Sequence, residues 1–177
     1  DLKSILKSLD DNNIQYELLS DKETRPVYIL KDFNLVVKIA KNLAGLNQNK
    51  TECHPVFNTY SDVFNIPLAW SSNFYIVLYK KADSFSYMED NYAFTNIYNI
   101  HEDYLITYCN PEYHKEYPED LVVVEENISK LGSRFIEAML AVHNSTPELK
   151  CWGLPAVYAK SSSYGVVEGT IKIIDFG

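Results

Sequence analysis

Glycine is scarce in this chain. It supplies six of 177 residues, and none occurs before Gly45. A glycine-rich loop, the usual way of bringing backbone amides close to phosphates, is therefore excluded from that opening stretch. Cysteine is rarer still. Cys53, Cys109 and Cys151 are widely spaced and odd in number, which argues against a disulfide framework and fits a reducing compartment. No apolar run approaches the ~20 residues that cross a bilayer, and no signal peptide is recognisable. Gly-x-Ser-x-Gly elbows and Walker loops are absent. His54, His101, His114 and His143 show no ligand-like spacing with cysteines or acids. Positive charge is also in deficit, with 16 Lys and Arg against 24 Asp and Glu, a formal net charge of −8. Such a field repels phosphate backbones and speaks against general nucleic-acid binding.

What the chain does have is apolar and aromatic mass. Hydrophobic residues make up 46% and aromatics 14%, with 14 tyrosines, enough for one domain with its own core. Residues 1–11 predict an amphipathic helix with Leu2, Ile5, Leu6 and Leu9 on one face. Three antiparallel strands follow at 14–20, 27–31 and 35–41, the last two joined through Asp32-Phe33-Asn34. Residues 42–59 hold Gly45 and Pro55 and predict a short helix, interrupted or beginning late. Another strand is expected at 74–80. Residues 88–120 are acidic and Tyr-rich without a clean period. The broad apolar stripe of 128–143 predicts the longest helix. A closing hairpin pairs 165–168 with 170–175 about Glu168-Gly169. Strands joined by hairpins, with the long helix late, indicate an α+β fold.

Two short elements carry chemistry. Lys38 interrupts the apolar run Leu35-Val36-Val37-Lys38-Ile39-Ala40. A strand lysine either faces solvent or presents an ammonium to a pocket. Asp175-Phe176-Gly177 follows the apolar strand Ile171-Lys172-Ile173-Ile174. It places at a strand end a carboxylate of the kind that holds Mg²⁺.

Together these elements resemble the protein-kinase fold. Lys38 matches the strand lysine that contacts nucleotide phosphates, and Asp175-Phe176-Gly177 matches the metal-binding Asp-Phe-Gly motif. Glu52 matches the acid that pairs with the lysine, and Leu78 falls near the gatekeeper position. More narrowly, Val36 to Asn42 followed by Gly45 and Gln48-Asn49, together with Ser163-Tyr164-Gly165-Val166, is similar to small bacteriophage kinase-like proteins. The resemblance implies a reduced kinase-like domain spanning 1–177. Residues 14–81 would form its antiparallel N-lobe and 82–177 a partial C-lobe, with an acidic insertion at 88–120. It also implies nucleotide binding by Lys38, Glu52 and Leu78, and a metal held by Asp175 and Ser163.

The departures are as informative. The first hairpin has no glycine, leaving Arg25 as a candidate side-chain contact to phosphate. Counting back from Asp175, Ser163 occupies the metal-binding Asn position, and Val157 and Tyr158 stand where the catalytic Asp belongs; neither accepts a proton at neutral pH. A second alignment places Glu148 there instead and Gly153 at the Asn position. The expectation is a phage kinase-like protein with impaired phosphotransfer and weak or no binding of ATP and Mg²⁺. It would act by binding a host or phage protein with a basic face, in the infected cytoplasm or on the virion, without membrane association. An active divergent phosphotransferase and a structural subunit of a virion or complex are the alternatives.

Overall fold

A computed structural model describes residues 1–84, 134, 137, 138, 141, 142, 145 and 164–177. They form an α+β structure whose chain divides into two units. Residues 1–82 together with 176–177 form the first, and residues 83–175 the second.

The first unit opens with helix α1 (Leu2–Asp11), capped by the Asp1 carboxylate, which accepts from the Ser4 N–H at 2.8 Å. Its end at Asn12 and the positive φ of Asn13 turn the chain into β1 (Tyr16–Ser20). Strands β2 (Val27–Leu30) and β3 (Leu35–Ile39) follow as the expected hairpin, with Asn34 taking the left-handed conformation in the turn. Asparagine adopts that conformation more readily than most residues. Helix α2 (Leu43–Glu52) comes next, then a 3₁₀ segment Pro55–Tyr60, β4 (Ala69–Trp70) and β5 (Ile76–Lys80). All strand pairs are antiparallel, in the order β1-β2-β3-β5-β4.

Register sorts the side chains by face. Tyr28, Leu30, Leu35, Val37, Ile39, Ile76 and Leu78 pack together with Leu2, Ile5, Leu6 and Leu9 of α1. The alternate residues Val27, Ile29, Val36, Val77 and Tyr79 form a second cluster with Cys53, which caps the C-terminus of α2. Strand side chains alternate between faces, so one sheet carries α1 on one side and α2 on the other.

Two local expectations take a definite form in the structure. Of the two forms expected for the helix in 42–59, the interrupted one is found: α2 runs through Gly45 and stops at Glu52, ahead of Pro55 and the 3₁₀ segment. The Asn42 side chain accepts from the Gly45 N–H at 3.0 Å, so the helix starts at once. Gly45 is retained within it because a Cβ there would collide with the Thr24 carbonyl. The strand expected at 74–80 begins at Ile76, since Phe74 has a φ of 60° in a tight turn closed by its N–H to Ser71 O at 2.8 Å. That turn creates β4, a two-residue strand too short to leave a periodic signal.

In the second unit, β6 (Tyr164–Val167) and β7 (Thr170–Ile173) pair antiparallel. Glu168 and Gly169 both have positive φ, the signature of a type I′ hairpin. Arg134, Glu137, Ala138, Ala141, Val142 and Ser145 are helical, inside or just beyond the span 128–143 expected as helix. The Tyr-rich stretch 88–120 lies outside the described residues, as do the other positions of the span 128–143. No helix among the described residues is long and apolar enough to cross a membrane.

Candidate functional site

The centre of the first unit is a carboxylate. Glu52, in the last turn of α2, is 0% exposed. Lys38 reaches it from β3, donating from Nζ to both carboxylate oxygens at 3.0 Å. The ion pair expected from a strand lysine and an acid on the next helix is present. Its environment is closed. Lys38 is 7% exposed, with its ammonium 4.5 Å from the centre of the Tyr79 ring. The Tyr79 hydroxyl donates to Glu52 Oε2.

Arg25, 2% exposed, enters from the segment between β1 and β2. Its Nη2 donates to Glu52 Oε1 at 2.8 Å and its Nη1 to Asn49 Oδ1 at 3.1 Å. Asn49 then donates from Nδ2 to the carbonyl oxygens of Phe74, at 2.7 Å, and Tyr75, at 3.3 Å. Both of these Arg25 donations go to α2. The neighbouring Thr24 hydroxyl donates to Gln48 Oε1 at 3.1 Å, and Thr24 O accepts the Lys41 N–H at 2.9 Å. The β1–β2 segment is thus bound down onto the helix.

The last two residues of the chain join the same centre. The Phe176 N–H donates to Glu52 Oε1 at 3.3 Å. Its ring, 1% exposed, lies 4.6 Å from Phe57 and 5.0 Å from Phe64, centre to centre. Gly177 approaches α2 so closely that a Cβ would collide with the Gln48 carbonyl and the Glu52 side chain. The glycine is required there by space.

The electrostatics follow. Burial alone would raise the Glu52 carboxyl. The charges of Arg25 and Lys38, with hydrogen bonds from Arg25 and Tyr79, outweigh it and hold the group down at about 2. Burial and the adjacent Glu52 charge push the Tyr79 hydroxyl well above its ordinary value, so it remains a donor at neutral pH. Burial, then Glu52, raises the Cys53 thiol to about 12.

Of the other candidates, Leu78 is separated from this centre. Leu78 belongs to the cluster under α1, on the opposite face of the sheet from Lys38 and Glu52. Its cross-strand partner is Val37, whereas Lys38 faces Val77. Asp175 belongs to the second unit, just past β7, and is partly exposed. Ser163, Val157, Tyr158, Glu148 and Gly153 lie outside the described residues. Among the described residues, no three His, Cys, Asp or Glu side chains converge as a metal site would require.

Arg25 and Tyr79 were missed as partners of Glu52. Arg25 sits in a polar turn with no periodicity, so nothing local marks it. Tyr79 carries a usable signal, being separated by one residue from Val77, the cross-strand neighbour of Lys38. That signal needs the strand register. Asn49 lies three residues before Glu52, a spacing that shares a helix face. Comparison of the chain with protein-family models, with curated proteins and with solved structures gives no match.

Proposed function

We propose that the chain is a degenerate kinase-like domain, similar to small bacteriophage kinase-like proteins, that works by binding a protein rather than by transferring phosphate. One observation carries the reading: the Lys38 ammonium is held on Glu52 beneath the Tyr79 ring, within a closed polar centre. In a working phosphotransferase the equivalent ammonium is offered to phosphate, and a metal bridges the phosphate oxygens. This site fits that group poorly. Arg25, from the segment that would cover the phosphates, is bound to α2, and no backbone glycine is available between β1 and β2. We assign the partner to the acidic, Tyr-rich sequence 88–120. Its charge suits a basic face, and its rings offer stiff contact area at low entropic cost.

An active, divergent phosphotransferase is favoured by a different observation. The backbone N–H of Phe176, next to Asp175, donates to Glu52. Titration calorimetry with Mg-ATP separates the two. The protein-binding reading expects no measurable heat up to millimolar nucleotide. Micromolar affinity that vanishes in Lys38→Ala overturns it in favour of the enzyme.

A further inference from the structure

We propose that Arg25, rather than Lys38, is the residue that fastens α2 to the sheet, so that α2 has a single docked position and does not act as a movable switch. The inference stands on the geometry of residues 24–52 and does not depend on whether the chain binds ATP.

A lysine–glutamate pair between a strand and a helix holds the helix at one point. Loss of that pair lets the helix swing. Here the attachment is broader. The Arg25 guanidinium forks onto two positions of α2 one turn apart, Asn49 at 3.1 Å and Glu52 at 2.8 Å. A planar guanidinium can do this, whereas a lysine ammonium lacks the fixed fork. Thr24 adds Gln48 at 3.1 Å. Asn49, held by Arg25, continues to the carbonyls of Phe74 and Tyr75 just before β5. The Thr24 carbonyl also lies where a Gly45 side chain would be, so the β1–β2 segment touches α2 near its start as well as near its end. Lys38, by contrast, meets α2 at Glu52.

Swinging α2 outward would take Glu52 away from both Arg25 and Lys38, two buried cations, and would strip its acceptor from the Phe176 N–H. These hydrogen bonds converge on one carboxylate, so they break together. Opening is therefore coupled to release of the β1–β2 segment and of the end of the chain.

Cys53 provides the readout. It caps α2, is half-buried, and packs against Val36, Val77 and Tyr79. Its reaction with a thiol reagent reports local detachment of the helix. In a Cys109→Ser/Cys151→Ser background it is the sole thiol. Labelling is measured alongside the melting temperature for Arg25→Met, Arg25→Lys and Lys38→Met. The expected result is an increase in Cys53 labelling of about 10- to 100-fold in Arg25→Met, as charged hydrogen bonds are lost from the helix. Arg25→Lys, which keeps the charge but not the fork, gives an intermediate rate and keeps the test open if the Met variant does not fold. Lys38→Met stays close to the parent rate. Parent-like labelling in both Arg25 variants overturns the proposal. So does a Lys38→Met rate equal to that of Arg25→Met, which would return the fastening role to the lysine.

Discussion

Helices α1 and α2 pack on opposite faces of the same five-stranded sheet, and they do so by different means. Helix α1 presents Leu2, Ile5, Leu6 and Leu9 to the sheet, yet none of its residues is fully buried. Its attachment is apolar, spread out and wet at the margins. Helix α2 has almost no apolar periodicity, and the residues it buries are Gly45, Asn49 and Glu52. Its attachment is polar and centred on a buried carboxylate. The first kind degrades gradually, because each apolar contact contributes separately and roughly in proportion to area. The second is cooperative, because a buried charge without its partner is costly.

That contrast sets the expected order of mutational effects. Glu52→Ala should be the most severe. It removes the carboxylate that Arg25, Lys38 and Tyr79 all bind, and breaking a buried ion pair costs about 3–5 kcal/mol, read as a lowered urea midpoint or failure to fold. A cost no greater than that of a truncation in α1 would erase the distinction between the two helices.

Acid should expose the same centre. The Glu52 carboxyl titrates at about 2 in the folded chain, against an ordinary 4.5. A folded value below the unfolded one contributes stability that is complete above about pH 4.5 and is lost as the pH falls through about 2. The span amounts to roughly 3 kcal/mol. Glu52→Gln carries no such titration, so its urea midpoint should decline less over that window. Parallel acid profiles for the two proteins would show that the carboxylate is not held by its cations.

Gly45→Ala tests the packing of α2 by its sign. In an exposed helix interior, alanine in place of glycine is favourable by about 1 kcal/mol. Here the added methyl meets the Thr24 carbonyl, so the expected result is destabilisation of roughly 1–3 kcal/mol, seen as a drop in melting temperature. A stabilised variant would mean that the β1–β2 segment yields easily.

Leu6→Ala in α1 should have the smallest effect. Leu6 is only partly buried, so a loss of about 1–2 kcal/mol is expected, at or below the lower end for core truncations. Denaturant unfolding should show this as a shifted midpoint with an unchanged slope.

The sequence alone determined α1, the strands of the first hairpin and the closing hairpin. Each rests on local chemistry: the spacing of Leu2, Ile5, Leu6 and Leu9, the β-branched runs about Asp32-Phe33-Asn34, and the positive-φ pair Glu168-Gly169. It also made the Lys38–Glu52 pair legible, because a strand lysine and an acid on the following helix fall within reach of each other. The tertiary structure decided the rest of the site. Leu78 lies on the far face of the sheet because side chains alternate along β5, and only the register with β3 says which residue shares a face with Lys38. Arg25 was drawn onto α2 because Glu52 and Asn49 were there to receive its guanidinium. Phe176 was held by Phe57 and Phe64, more than a hundred residues earlier in the chain. A buried polar centre has no period in sequence: its members are chosen by complementary charge and hydrogen bonding across the fold, and those partners become neighbours only when the chain has packed.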